Sequence, residues 1–101
     1  MKLKPGVRVP GLSAQMVLAA MIVRDCYGDT ECIVTSANDS THSQHSLHYL
    51  GRALDFRTKN YPGSRTLLRN NVAAALGDDF DVVLEDVGGE NEHLHVEYDP
   101  K

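Results

Sequence analysis

Two short stretches of this chain alternate polar and apolar residues so regularly that they leave little choice of local structure. The pattern runs through His93-Leu94-His95-Val96-Glu97-Tyr98 and, from Leu54 onward, through Ala53-Leu54-Asp55-Phe56-Arg57. Side chains at i and i+2 of a strand share a face, so Leu54, Phe56, Leu94, Val96 and Tyr98 are expected in the core. His93, His95, Glu97, Asp55 and Arg57 then occupy the opposite, chemical face. Two such strands can bring Asp55 and His95 together. A carboxylate on a half-buried strand is costly unless a cation or hydrogen bonds meet it, so Asp55 asks for a partner.

The remaining elements follow from periodicity and punctuation. Leu12, Met16, Ala19, Ala20 and Val23 have helical spacing behind Ser13, a candidate N-cap. Cys32-Ile33-Val34-Thr35 reads as a short strand. Pro62-Gly63-Ser64 opens a second helix with Leu67, Leu68, Val72, Ala75 and Leu76 on one side and Gly77 as its stop. Residues 80–84 form a further strand, and the basic start around Lys2, Lys4 and Arg8 reads as solvated. At 101 residues with 42% hydrophobic and 24% charged content, the chain is long enough for one core without disulfides, so residues 1–101 form one domain. The expected fold is α+β, a small antiparallel sheet with helices packed on one face and a metal site on the other.

His48, Asp55 and His95 supply two imidazoles and a carboxylate, the ligand types of catalytic zinc, which takes three protein ligands and leaves a position for water. Gly51 suits a tight backbone approach beside them. Ser46-x-His48-x-x-Gly51-x-Ala53-x-Asp55 resembles the S-x-H-x-x-G-x-A-x-D signature of the zinc D-Ala-D-Ala peptidases. That superfamily includes vancomycin-resistance dipeptidases, bacterial and phage cell-wall peptidases and the Hedgehog signalling domain. His93-Leu94-His95 resembles its second element, and the two together span about half the chain. The resemblance implies Zn2+ on His48, Asp55 and His95, with an acid near the last ligand as catalytic base. Glu92 is the expected base and Glu90 and Glu85 are the alternatives; His93 would stabilise the oxyanion.

Many cell-wall members carry an Arg after the strand preceding the first ligand, whereas Thr35-Ser36-Ala37-Asn38-Asp39 has none. Phage-type members with a Ser- and His-rich segment like Asn38 to Ser43 look similar in this respect. Arg52, Arg57 and His42, together with Ser46, are then the candidates for gripping substrate, although a histidine such as His42 or His45 in a Ser/Thr/Asn loop is by default a surface residue. Arg57 has its own dull alternative, a pairing with Glu97 or Asp55.

The implied activity is hydrolysis of an amide bond in peptidoglycan stem peptides, as a carboxypeptidase or an endolysin-like endopeptidase acting as a monomer. A non-catalytic zinc-containing binding module of the Hedgehog kind is the second reading. A closed structural zinc site is the third, but it usually draws on Cys. A net charge of -4 without clustered Lys or Arg excludes a nucleic-acid footprint. No apolar run is long enough to cross a membrane, and the start lacks a secretion signal. The chain is thus expected in the cytoplasm at synthesis, acting on the wall after release or as a virion component. Cys26 and Cys32 are expected as reduced thiols, with a disulfide open after release.

Overall fold

A computed structural model of the chain describes residues 1–7, 11–37 and 51–100. The elements run β1 (Lys2–Leu3), α1 (Ala14–Tyr27), β2 (Ile33–Ser36), β3 (Ala53–Arg57), α2 (Arg65–Leu76), β4 (Phe80–Glu85) and β5 (His93–Tyr98). They build an α+β domain with a five-stranded sheet of order β1-β2-β3-β5-β4.

Both helices start where their caps dictate. The Ser13 hydroxyl accepts from the Met16 amide at 3.2 Å, and Ser64 accepts from the Leu67 amide at 3.1 Å, each satisfying a donor that the first helical turn leaves orphaned. The second helix ends at Gly77, whose amide bonds the Ala73 carbonyl at 3.0 Å. The first runs to Tyr27, a turn beyond the apolar pattern of the sequence, and its last turn is anchored by the Tyr27 hydroxyl donating to the Arg57 carbonyl at 2.6 Å.

The core is one layer between these helices and one face of the sheet. Met16, Ala19, Val23, Leu68 and Val72 from the helices pack with Val34, Leu54, Phe56, Val82, Leu94 and Val96 from the strands. The period-two expectation for β3 and β5 therefore holds: Leu54, Phe56, Leu94 and Val96 are buried, Tyr98 packs against the core, and Asp55, Arg57, His93, His95 and Glu97 face away. Phe56 is 0% exposed, so Phe56→Ala is expected to cost ~3–5 kcal/mol of stability, measured by urea unfolding.

One expectation needs correction. The sheet is mixed, because β1 lies parallel to β2, with Lys2 opposite Ile33 and Leu3 opposite Val34. The basic start is thus partly structured: the Lys2 amide bonds the Cys32 carbonyl and the Lys4 amide the Val34 carbonyl, both at 2.9 Å. Two exposed residues carry no periodicity, so backbone pairing at a sheet edge leaves no trace in the sequence. The other three pairings are antiparallel, as expected.

Gly51 makes the close approach assigned to it. Its φ is 72°, its carbonyl accepts from the Ser13 amide at 2.9 Å, and a Cβ there would collide with the Gly11 carbonyl. Both the left-handed backbone and a rigid obstacle oppose a side chain, so Gly51→Ala should lower the thermal midpoint, with the φ term alone of order ~1–3 kcal/mol.

Candidate metal centre

Sheet register assembles the site. Across the open face, Asp55 sits opposite His95 and Val83 opposite the same His95, while Arg57 and Glu85 flank His93 and Ala53 and Asp81 flank Glu97. Directly opposed side chains of an antiparallel pair lie about 4.5–5.5 Å apart at Cβ, close enough for short polar side chains to bond. The Asp55 Oδ1 atom indeed accepts from His95 Nδ1 at 2.8 Å.

On its other side, His95 Nε2 donates to Glu97 Oε1 at 2.7 Å. Carboxylates only accept, so the ring flanked by both is an imidazolium. Burial, the largest influence on His95, favours the neutral ring. The hydrogen bonds to Asp55 and Glu97 and the charges of Asp55 and Glu85 outweigh it and raise the pKa to about 9. His93 is held in the same way: Nδ1 donates to the Asn91 carbonyl at 2.6 Å and Nε2 to Glu85 Oε1 at 2.9 Å, with Asp55 Oδ2 at 3.7 Å. Burial again pulls its pKa down, but the Asn91 bond and the neighbouring Asp55 and Glu85 raise it overall.

The donor set suits a divalent cation. Polar atoms of Asp55, Glu85 and His95 all lie within 4.8 Å of one another, so Asp55 and His95 could share one metal ion with the Glu85 carboxylate beside it. Nδ1 of His95 is the atom turned towards Asp55, while Glu97 holds Nε2–H, the arrangement by which a carboxylate fixes the tautomer of a metal-ligating imidazole. Glu97→Ala is expected to weaken zinc binding ~10- to 100-fold, read by competition with a chromogenic chelator.

A metal on Nδ1 must displace its proton, so the His95 pKa of about 9 predicts how affinity follows pH. Affinity should rise about tenfold per pH unit from pH 6 towards 9 and level off above it, checked by the same competition at each pH. In the metal-free chain the sign is opposite. The raised His95 pKa contributes stability that is full below the unfolded value near 6.5 and is lost as pH climbs through about 9.

Glu92, the expected base, is 5% exposed and turned inward. Its Oε1 accepts from the Thr58 hydroxyl at 2.7 Å and from Arg65 Nε at 3.0 Å, and its Oε2 from the Gly88 amide at 2.9 Å. The Gly88 amide first, then Thr58 and the Arg65 and Lys59 charges, overcome burial and hold the carboxyl below the ordinary range. These contacts tie the turn between β4 and β5, which the sequence leaves as a loop of open geometry, to the end of β3. Glu85 instead stands on the open face, 2.9 Å from His93 Nε2 and 3.9 Å from His95 Nδ1. Glu90 is exposed in the turn.

His48, Ser46, His42 and His45 lie outside the described residues. Of the other substrate-binding candidates, Arg57 is level with His93, whereas Arg52 is exposed ahead of β3 with its carbonyl taken by the Tyr98 amide at 2.8 Å. Sequence reasoning missed the role of Glu97, although its i+2 spacing from His95 was the available signal. It also missed Thr58 and Arg65, for which no signal exists. Both cysteines are free, and burial pushes the Cys32 thiol up to about 12 against the opposing pull of the N-terminus and Arg24, so it offers no thiolate nucleophile.

The fold and site define a small α+β domain with a histidine and carboxylate cluster on the open face of its sheet. Compared with protein-family models and with curated proteins, the chain matches none. Among the described residues, no helix is long and apolar enough to cross a membrane.

Proposed function

We propose that this protein is a zinc-dependent peptidase that hydrolyses amide bonds in peptidoglycan stem peptides. One observation supports it above the others: Asp55 and His95, nominated as ligands on separate motifs, meet at 2.8 Å on an open sheet face with Glu85 beside them and Glu97 behind. His95 Nδ1 and Asp55 would hold the ion, with His48 as the third ligand that the resemblance implies. A bound zinc ion supplies Lewis acidity, acidifying water and polarising a peptide carbonyl.

The chain's own groups do the proton work. Glu85 accepts a proton from the attacking water as its oxygen bonds the carbonyl carbon, then returns that proton to the departing amine nitrogen as the C–N bond breaks. His93 Nε2–H donates to Glu85 at 2.9 Å, and as Glu85 turns to the water that donor passes to the negative charge developing on the carbonyl oxygen. Glu85 takes the base role here because Glu92 already accepts from Thr58, Arg65 and Gly88.

That inward turn of Glu92 also favours the second reading, a zinc-containing binding module without catalysis. Incubating the zinc-loaded protein with purified sacculi separates the two. New amino groups and shortened stem peptides in the mass spectrum support the peptidase. Intact muropeptides from several wall chemotypes, with zinc bound, leave the binding module.

A further inference from the structure

Among the described residues the sheet ends on β4, which has β5 on one side and no strand on the other. In an antiparallel ladder, successive residues turn their backbone groups alternately towards the partner and away from it. The Asp99 amide bonds the Asp79 carbonyl at 2.8 Å, which sets the alternation. Asp81, Val83 and Glu85 therefore pair with β5, while Phe80, Val82 and Leu84 point their backbone groups outward. Two of those groups are occupied: the Phe80 amide bonds the Gly77 carbonyl at 3.2 Å, and the Val82 carbonyl accepts from Arg69 Nε at 2.9 Å. Among the described residues, the Val82 amide and both backbone groups of Leu84 meet no partner, so the edge offers a ladder ready for pairing.

A groove of about 500 Å³ follows this edge. Phe80 and Val82, with Ala73 and Gly77 of α2, make one wall apolar, whereas Asp78 and Asp81 bring carboxylates to the other. Arg69 is the one cation among the described lining residues, and its Nε and Nη1 are held by the Val82 carbonyl and by Asn70 Oδ1. The sequence sharpens the asymmetry. From Asn70 to Pro100 it holds no Lys or Arg, while Asp78, Asp79, Asp81 and Glu85 fall in β4 or just before it.

We propose that the outer edge of β4 docks an extended segment of a partner polypeptide in which basic and apolar residues alternate. The segment adds a strand to the sheet. Its backbone pairs with Val82 and Leu84, its apolar side chains lie beside Phe80, Val82 and Leu84, and its Lys or Arg side chains lie beside Asp81 and Glu85. Neighbouring strands are ~4.8 Å apart, which a lysine stem spans to reach a carboxylate across the ladder. Charge decides against a second copy of this chain. Antiparallel self-pairing with Val82 opposite Val82 sets Asp79 against Glu85, and with Val83 opposite Val83 it sets Asp81 against Glu85; like charges directly opposed destabilise a sheet. The inference does not depend on the peptidase reading, since the outward backbone of β4 takes no part in the candidate metal centre.

The full chain is titrated with acetyl-Lys-Val-Lys-Val-Lys-Val-Lys-amide while NMR follows the backbone amides. The signals of Val82 and Leu84 should move most, and their hydrogen exchange should slow as each amide gains an acceptor. Two N-methylated copies of the peptide, one blocked at the valine amides and one at the lysine amides, test the pairing itself. Only one alternate set can face β4, so one copy should bind about tenfold or more weakly and the other like the parent peptide. Loss with the valine set assigns antiparallel docking, and loss with the lysine set assigns parallel docking. Replacing every peptide Lys by Glu should weaken binding by a similar factor, as should Asp81→Lys in the protein, with urea unfolding showing that the variant folds. Equal binding of the two methylated copies, shifts confined to residues away from β4, or no binding at all overturn the proposal and leave the acids as a guard against pairing between chains. Protection of Val82 and Leu84 that rises with protein concentration alone, in step with a dimer in sedimentation, also overturns it and assigns the edge to a second copy.

Discussion

His95→Ala and Asp55→Ala should each lose zinc almost completely after dialysis against a weak chelator, while the parent chain keeps about one equivalent per chain by elemental analysis. A site with three protein ligands has no redundancy, and its binding free energy is large enough that one lost ligand shifts occupancy by orders of magnitude. The register makes the two variants informative together, because Asp55 and His95 occupy one row on adjacent strands. His48→Ala should behave alike. Thermal midpoints supply a second reading: added zinc should raise the parent's midpoint and leave those of the variants where they were, since only a ligand that binds the native state stabilises it. Undiminished zinc in all three variants would overturn the assignment of the centre.

Glu85→Gln and Glu92→Gln are expected to fail in different ways. Glu85 faces His93 and His95 from the end of β4, so its amide variant should fold and hold zinc yet hydrolyse ~100- to 10,000-fold more slowly. Loss of zinc from Glu85→Gln would make Glu85 a ligand instead. Glu92 is buried against a hydroxyl, a guanidinium and a backbone amide, and its neutral variant weakens charge-assisted bonds worth ~1–3 kcal/mol. Its cost should appear in urea unfolding, with activity per folded molecule within a few-fold of the parent. Acidification should mimic it: a depressed Glu92 pKa gives stability that is present above the unfolded carboxylate value and is lost as pH falls through the folded one. A dead Glu92→Gln beside an active Glu85→Gln would return the base role to Glu92.

Much of this arrangement is legible in residue order. Alternation in β3 and β5 separates core from chemistry because a strand offers two faces, and the burial of Leu54, Phe56, Leu94 and Val96 follows from it. Ser13, Ser64 and Gly77 mark helix ends because capping is a local exchange of hydrogen bonds within one turn. Gly51 is readable for the same reason, since a positive φ is a property of one residue. The tighter question, which acid serves the centre, is not local. Glu85, Glu90 and Glu92 are equivalent by composition and nearly so by position. Their fates are settled by the turn between β4 and β5, by Thr58 at the end of β3 and by Arg65 at the start of α2, three segments far apart in the chain.

The sequence alone therefore determined the identity of the two faces, the helix boundaries at their caps and the pair Asp55 and His95 as partners across a sheet. Each of these depends on a period or a cap that neighbouring residues impose. Only the tertiary structure decided that β1 pairs parallel at the edge, that Glu97 orients His95, that Glu92 is withdrawn into a buried network and that β4 forms the other edge of the sheet. Those outcomes arise from contacts between elements, where register and burial, and not residue type, fix which charge meets which.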